Sequence, residues 1–259
     1  MISVVIPTHK RPDLLSRLLL SICRQTLLPT EVIVVDDASG MDDLYNDCIR
    51  TFQASLPGLI LHRLPFNSGA PRARNFGISL SSFEWIALVD DDDEWLPQKL
   101  EKQWALVKQS DKSTGLIYTW TKVQAGVSKD SYDSKHTIQG DARRAILTTN
   151  FIMSASVMVR RDAIEEADLF DVTLSSCQDW DMWVRIFSAG YYCDVVPEIL
   201  TVYHQHGQPS IGNSRKAYSG HLQFLKKHWL SMLTRCGPIA ILRFAMGLRA
   251  IKQRKFNEI

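Results

Sequence analysis

Short apolar runs alternate with amphipathic stretches through residues 1–121. The runs are rich in Val, Ile and Leu, which is typical of buried strands in a parallel sheet. Between them, apolar residues recur at spacings of three and four, which predicts helices with one buried face. The predicted strands are 2–6, 32–35, 59–64, 85–89 and 116–121, and the predicted helices are 12–29, 42–52, 71–80 and 96–109. This alternation predicts an α/β fold with a doubly wound, mostly parallel sheet.

The pattern is less regular beyond residue 121. The polar segment 124–139 predicts a mobile loop, and 156–159 predicts a strand that rejoins the sheet. The remaining predicted elements are a helix at 178–188, a short strand at 200–203, and helices at 214–233 and 238–254. We therefore expect a body of residues 1–213, with halves 1–121 and 122–213, followed by a helical extension at 214–259.

Charge is distributed unevenly along the chain. The net charge is +2, yet the segment from Arg215 onward contains ten Lys and Arg residues against one acid, so residues 1–214 carry −7. A basic tail on an acidic body predicts an anionic partner, with a membrane surface and nucleic acid as candidates. The last predicted helix has an apolar face between Ile241 and Ile251. This face either rests in a membrane interface or packs on the body.

Four consecutive aspartates, Asp90 to Asp93, follow the predicted strand 85–89. Adjacent carboxylates repel each other unless a cation or hydrogen-bond donors neutralise them. Ligands of open α/β sheets bind beyond the carboxyl ends of the strands. Asp90-Asp91-Asp92 is thus a DxD arrangement placed to hold Mg²⁺ or Mn²⁺ against a diphosphate, the alternative being a solvated turn or a helix start. The signatures of a P-loop, a dinucleotide fold and an EF-hand are absent.

Other polar residues follow the predicted strands and helices at the same edge. Asp37 could accept hydrogen bonds from a base or a ribose, or it could serve a local turn. Thr8 could meet the same base or cap the following helix. Arg72 and Arg74 could approach a diphosphate, since guanidinium suits phosphate, or they could form ion pairs with the aspartates.

Two segments in the second half offer further chemistry. Asp179 and Asp181 flank Trp180 at the start of a predicted helix, and one carboxylate there could act as a general base or cap the helix. His204 and His206 lie in a polar segment with a glycine, where either imidazole could bind a metal or a diphosphate. The structural alternative for a lone histidine stays open.

Together these segments resemble the ordered motifs of family 2 glycosyltransferases over residues 1–210. The five segments are residues 4–8, 34–39, 67–70 with 73–78, 88–97 and 178–183. The resemblance implies a GT-A fold, with a Rossmann-like sheet and C-terminal helices, in which 1–121 binds the nucleotide and 122–213 the acceptor. It also implies an inverting, metal-dependent transfer of a sugar from a nucleotide donor.

The resemblance assigns roles to individual residues. Asp179 matches the catalytic base, and Asp92 matches a ligand of Mn²⁺ or Mg²⁺, with His206 preferred over His204 as a further ligand. The residues expected to bind the nucleotide are Thr8, Asp37, Arg72, Arg74, Asp90 and Asp91. The chain departs from the pattern at Gln178, where many members have Glu.

On these grounds we expect a glycosyltransferase of surface polysaccharide synthesis that uses a UDP-sugar. The acceptor would be a saccharide or a polyprenyl-diphosphate-linked saccharide. No apolar stretch reaches the ~20 residues of a membrane span, and no signal peptide opens the chain, which predicts a cytoplasmic protein, peripheral on the inner face of the plasma membrane. The alternatives are a metal-dependent sugar nucleotidyltransferase and a non-catalytic nucleotide-sugar binding module. A nucleic-acid partner is not expected, because the body is acidic and lacks a base-stacking motif.

Overall fold

The structure, a computed structural model, describes residues 1–125, 131–205 and 215–256. The strands are β1 (Ile2–Thr8), β2 (Glu31–Asp36), β3 (Leu59–Arg63), β4 (Trp85–Leu88), β5 (Glu94–Trp95), β6 (Thr114–Ala125), β7 (Tyr132–Ser134), β8 (Met158–Arg160) and β9 (Tyr192–Gln205). The helices are α1 (Pro12–Cys23), α2 (Asp42–Phe52), α3 (Ala70–Leu80), α4 (Lys99–Val107), α5 (Arg143–Thr148), α6 (Arg161–Glu166), α7 (Gln178–Ser188), α8 (Arg215–Cys236) and α9 (Pro238–Phe256), with a 3-10 turn at Ser154–Ser156.

In the described part of the chain the strands form one mixed sheet in the order β3-β2-β1-β4-β8-β6-β9-β5, with β7 beside β6. Strands β3, β2, β1 and β4 are mutually parallel, and β6 is parallel to β9. Strand β8 runs antiparallel between β4 and β6. Because parallel strands end at the same edge, the residues after β1, β2 and β4 meet there, which confirms the predicted α/β fold.

The sheet separates two apolar layers. Successive side chains of β1 point to opposite faces, so Val4 and Ile6 pack with α1 while Val5 joins the layer that holds α7. Helix α3 crosses β1 closely at Gly77, where an added Cβ would lie 2.5 Å from the Val5 side chain. Only glycine allows this approach, which positions α3 and the loop before it against the sheet.

Several element boundaries differ from the sequence prediction. Helix α1 ends at Cys23, well before residue 29, and α4 covers only Lys99–Val107 of the predicted 96–109. The polar segment predicted as a mobile loop contains the end of β6 and strand β7, which pairs antiparallel with Thr121–Val123. Pairing along a strand satisfies backbone groups whatever the polarity of an exposed face, so polar composition alone did not reveal this hairpin.

The two C-terminal helices pack on the body. Phe224 and Met232 of α8 are buried in the core, and Ile241 and Phe244 of α9 pack against it. The apolar face of α9 thus contacts protein along part of its length. No helix in the described ranges is long and apolar enough to cross a membrane.

Candidate active site

The loop before α3 is tied to the end of β2 by Asp37. Its two carboxylate oxygens accept hydrogen bonds from the backbone N–H groups of Ser68 and Gly69, both at 2.7 Å. Gly69 has a φ of +88°, a left-handed conformation that favours glycine. Asp37 therefore ties the loop before α3 to the end of β2, and its predicted contact with a nucleotide stays a prediction.

Thr8 and Asp91 meet at the ends of β1 and β4. The Thr8 hydroxyl donates to Oδ2 of Asp91 at 2.7 Å and lies 2.9 Å from the Tyr45 hydroxyl. Burial raises the pKa of Asp91 to about 7 and is the largest of the effects on it. The negative charge of Asp92 also raises this pKa, whereas the hydrogen bond from Thr8 lowers it. Thr8 and Asp91 thus join the ends of β1 and β4 through a buried hydrogen bond.

A cation that the sequence analysis missed lies over the aspartates. The Arg11 guanidinium is 2.7 Å from Oδ2 of Asp92 and 3.3 Å from Oδ1 of Asp91. The position of Arg11 shortly after β1, at the edge where the acids converge, was the sequence feature that could have identified it. Asp92 thus faces a positive charge in the structure, and its side chain is one-fifth exposed.

Arg74 links the aspartate turn to the other half of the body. Its guanidinium lies 2.5 Å from Oδ1 of Asp90 and stacks 5.5 Å from the centroid of the Phe170 ring. The nearby charge of Asp179 also acts on Arg74. Arg72, by contrast, is exposed on the same helix. Of the two predicted arginines, the structure brings Arg74 into the site.

Asp179 stands at the start of α7 and faces Arg74 and Asp90. The Asn150 side-chain amide donates to Oδ2 of Asp179 at 3.2 Å. Burial raises the pKa of Asp179, while bonds from the Trp180 backbone and Asn150 and the charge of Arg74 oppose the rise. Asn150 was not predicted, and no periodic pattern marks it. A half-buried carboxylate of raised pKa beside a cleft is a candidate proton acceptor.

A pocket of about 380 Å³, which we call the central pocket, lies between Arg74, Asp90 and Asp179, and Thr8, Asp37, Asp91 and Asp92 are not in its lining. Its polar lining residues are Arg74, Asp90, Asp93, Asn150, Ser154, Ser176, Gln178, Asp179, Tyr203 and His221. The pocket lies between residues 1–121, which contribute Asp90 and Asp93, and residues 122–213, which contribute Asp179. Tyr203 and His221 were not predicted as site residues.

The aspartate turn fits a divalent cation, as the resemblance implies. Its donors are hard carboxylate oxygens, the ligands that Mg²⁺ and Mn²⁺ prefer. Within the described residues, Oδ1 of Asp93 is buried without a hydrogen-bond partner. Burial and the charges of Asp90 and Asp92 raise the pKa of Asp93 well above its usual range. A bound cation would relieve both the missing partner and the repulsion.

The ligand set is incomplete in the described part of the chain, where no three His, Cys, Asp or Glu side chains form a metal-binding group. The predicted ligand His206 lies outside the described residues. Nε2 of His204 lies 3.5 Å from Oε2 of Glu94. The assignment of Asp92 and of a histidine as metal ligands therefore stays a prediction.

Asp181, two residues beyond Asp179, has a different setting. It is fully buried and binds Nε2 of His228 at 2.8 Å, with Lys227 and Arg185 also in contact. Burial opposes ionisation, but these cationic partners and bonds prevail and lower the pKa of Asp181. Asp181 therefore fastens α8 to α7, and Asp179 is the carboxylate that faces the central pocket.

The sequence model described as glycosyl transferase family 2 matches residues 3–167. The chain belongs to this family. The glycosyltransferase is 29% identical over 233 residues to "Putative colanic acid biosynthesis glycosyl transferase WcaA" of Escherichia coli, covering 88% of this chain and 81% of that protein. This membership establishes the protein as a transferase enzyme and places a surface-polysaccharide protein among its relatives.

Solved structures confirm the expected GT-A fold. S. aureus TarS 1–349 in complex with UDP-GlcNAc superposes with a TM-score of 0.71 at 18% identity, covering 90% of this glycosyltransferase and 67% of that chain. The mannosyltransferase PcManGT of Pyrobaculum calidifontis, in complex with GDP-Man and Mn²⁺, gives a TM-score of 0.65 at 16% identity, covering 98% of this chain and 75% of that one.

Proposed function

We propose that this glycosyltransferase transfers a sugar from a nucleotide donor to an acceptor hydroxyl by a single displacement with inversion, and that Asp179 is the general base. The observation that carries the proposal is the central pocket, which Asp179 shares with Asp90, Asp93 and Arg74. The proposed proton acceptor and the side chains suited to a departing diphosphate thus line the same small cavity. Such positioning is the first requirement of general-base catalysis.

In the proposed reaction, Asp179 takes the proton of the acceptor hydroxyl as that oxygen attacks the anomeric carbon. The bond from this carbon to the diphosphate oxygen breaks, and its electron pair leaves with the nucleoside diphosphate. Because attack and departure occur on opposite faces, an α-linked donor gives a β-linked product. Asn150 holds the carboxylate of Asp179 in place through a hydrogen bond from its side-chain amide.

The leaving group acquires negative charge in the transition state. We expect stabilisation of this charge to be the largest contribution to the rate enhancement. Arg74 is nearly buried and already engages Asp90, so its guanidinium is placed to bind a diphosphate oxygen. Asp92, with His206 as the predicted partner, would hold Mn²⁺ or Mg²⁺. When bound, such a cation neutralises charge on the diphosphate.

The donor we propose is a UDP-sugar, bound at the edge formed by Thr8, Asp37 and Asp91. Support comes from the fold relative TarS, whose structure contains UDP-GlcNAc, while PcManGT contains GDP-Man and Mn²⁺. Both are nucleotide sugars, and the fold relative with UDP-GlcNAc has the higher TM-score. A thermal-shift screen of UDP-, GDP- and dTDP-sugars with Mn²⁺ tests this choice.

The acceptor we propose is a growing surface glycan, as a free saccharide or attached to a polyprenyl diphosphate. The similarity to WcaA supports this class. We assign 1–213 to catalysis and 214–259 to a basic extension, in a cytoplasmic enzyme peripheral on the membrane. Exposed apolar side chains on the two last helices offer a surface for that contact: Trp229, Leu230, Leu233, Ile239, Leu242 and Met246.

The direct test is the variant Asp179→Asn, which keeps the shape of the side chain and removes its basicity. Transfer should fall by ~10²-fold or more, the scale of general-base catalysis, while UDP binding with Mn²⁺ is retained. The matched control is Asp171→Asn, an acid outside the central pocket. Near-normal turnover of Asp179→Asn would remove Asp179 from the role of base.

The family match does not favour the two alternatives. A nucleotidyltransferase would release pyrophosphate from a nucleoside triphosphate and a sugar phosphate, whereas this enzyme should release UDP from a UDP-sugar. A binding module would release neither. Measuring the released phosphate species with and without acceptor separates the three activities.

A further inference from the structure

A large groove lies beside the central pocket, between α5 and α9, and we call it the α5–α9 groove. Its volume is about 1040 Å³. One wall is a single face of α9, whose lining residues recur at helical spacing: Ile239, Ala240, Arg243, Phe244, Gly247, Leu248 and Ile251. The other wall consists of Asp141, Arg144, Ala145, Thr148 and Thr149, in and beside α5.

The groove adjoins the central pocket. Trp180 and His221 line both cavities. Trp180 directly follows the proposed base Asp179, and its ring stacks on Phe224 at 4.2 Å and lies 5.7 Å from Phe244. A molecule lying in the groove would therefore lie against this aromatic cluster, next to the residue proposed to accept the proton.

Apolar side chains make up most of the groove walls, and the charged lining residues are more often positive than negative. The one acidic lining residue, Asp141, is bound by Arg143, whose Nε lies 2.8 Å from Oδ1. Arg144 and Arg243 are exposed on different helices, and neither forms an ion pair with another described residue. Two available guanidinium groups among apolar side chains suit an anion joined to a hydrocarbon chain.

We propose that the α5–α9 groove binds the acceptor as an amphiphile that carries a phosphate or diphosphate next to an apolar chain. Arg144 and Arg243 bind the anionic group, and the apolar chain lies against Phe244, Leu248 and Ile251. The saccharide end extends past Trp180 into the central pocket. This assignment rests on the proposed function, since it places the acceptor of that reaction.

Gly247 provides a way to close the groove without disturbing the fold. A Cβ built on Gly247 meets no atom within 4 Å, so a larger side chain enters open space. Replacement of a helical glycine also favours the helix intrinsically. Gly247→Leu should therefore fill the groove in a folded protein, and Gly247→Ala is its control.

The test is a calorimetric titration of the full-length protein with farnesyl diphosphate, with saturating UDP and Mn²⁺ present to occupy the donor site. Farnesol and inorganic pyrophosphate are titrated separately. We expect farnesyl diphosphate to bind more tightly than either fragment. The double variant Arg144→Gln/Arg243→Gln should weaken this binding by about tenfold or more, the scale of a lost charge-assisted hydrogen bond.

Gly247→Leu should weaken the same binding by a similar factor, while Gly247→Ala retains it. The control for charge is Arg249→Gln/Lys252→Gln, which removes two exposed cations of α9 outside the groove lining and should change the affinity by less than about twofold. Equal affinity in all variants would overturn the proposal. So would farnesol or pyrophosphate binding as tightly as farnesyl diphosphate, because the groove would then recognise only an apolar chain or an adventitious anion.

A separate titration with UDP and Mn²⁺ in each variant reports on the donor site alone. Unchanged UDP affinity with weakened farnesyl diphosphate binding supports the groove assignment. Loss of UDP binding in the groove variants would contradict it, since the two sites would not be separate. Failure of the wild-type protein to bind UDP would count against the proposed function and leave the comparison among groove variants readable.

Discussion

Asp37 and Asp179 show how differently the two halves of the body treat a functional carboxylate. Asp37 lies at the end of β2 and accepts two backbone N–H groups from a loop close by in the sheet. Asp179 is half-buried at the start of α7 and receives one side-chain amide, from Asn150. The first arrangement fixes both oxygens of the carboxylate, whereas in the second, burial raises the pKa of the carboxyl group.

This difference separates binding from proton transfer. A carboxylate with two amide donors is a fixed acceptor, which suits recognition of a nucleoside. A desolvated carboxylate has a greater affinity for a proton, which suits a base. The two halves meet at Arg74, which contacts Asp90 on one side and is near Asp179 on the other. Variants on each side should therefore fail in different measurements.

The largest effect is expected on the nucleotide side. Asp92→Ala removes the carboxylate predicted to hold the cation, so UDP binding should lose its dependence on Mn²⁺ entirely. Calorimetric titration with UDP, with and without Mn²⁺, measures this. The control is Asp47→Ala, which removes an exposed acid on α2. An unchanged Mn²⁺-dependent titration of Asp92→Ala would contradict the role of Asp92.

The next largest effect is expected on the free energy of unfolding, through the contacts of Asp181 between α7 and α8. Asp181→Ala leaves Arg185, Lys227 and His228 without their buried partner, which should cost about 3 kcal/mol of unfolding free energy. Asp171→Ala, which removes a more exposed partner of Lys227, should cost under about 1 kcal/mol. Urea denaturation at neutral pH compares them. Similar losses in both variants would mean that Asp181 does not anchor α8.

The Asp181 effect should also depend on pH. Its folded pKa is lowered, so its contribution to stability is complete above its ordinary pKa of ~3.9 and is lost as the pH falls through the folded value. The difference between wild type and Asp181→Ala should therefore shrink in acid. A difference that grows as the pH falls would contradict this sign.

The smallest effect sharpens the role of Asp179 itself. Because its folded pKa is raised, transfer should begin to fall at a higher pH than an ordinary aspartate would give. Asn150→Ala removes a donor that favours the charged form, so this acid limb should move to still higher pH. One hydrogen bond corresponds to a shift of up to about one pH unit. The pH profile of kcat measures it.

The control for this profile is Asn46→Ala, an exposed amide on α2 that binds Arg63. Its acid limb should coincide with that of the wild type. A limb that moves to lower pH in Asn150→Ala would mean that the amide does not stabilise the Asp179 carboxylate.

The nucleotide half could be predicted from sequence because its signals are local. Helix α2 spans Asp42–Phe52 as predicted, and the acids that follow β2 and β4 converge by the rule that parallel strands end together. Even so, Arg11 was missed, since its pairing with Asp92 joins residues about 80 positions apart in sequence. The order of strands in the sheet brings such pairs together, and the hydrophobic periodicity of the sequence carries no information about that order.

The acceptor side was less predictable because its elements are short and held by distant contacts. Helices α5 and α6 have six residues each, too few to show a helical period. Strand β9 extends over 14 residues, although only 200–203 was predicted, because it pairs with β6 and β5. Helix α7 was predicted in full, which placed Asp179 at its start, whereas Asn150 and the groove depend on packing that sequence alone does not specify.

The central claim is that one displacement, with Asp179 as base, proceeds between the two halves. Its most direct measurement is proton NMR of enzymatic UDP-sugar hydrolysis, following the first anomer released before mutarotation. We predict that an α-linked donor gives the β-anomer first and that Asp179→Asn suppresses this signal by ~10²-fold or more. Initial release of the α-anomer, or undiminished release by Asp179→Asn, would contradict the account.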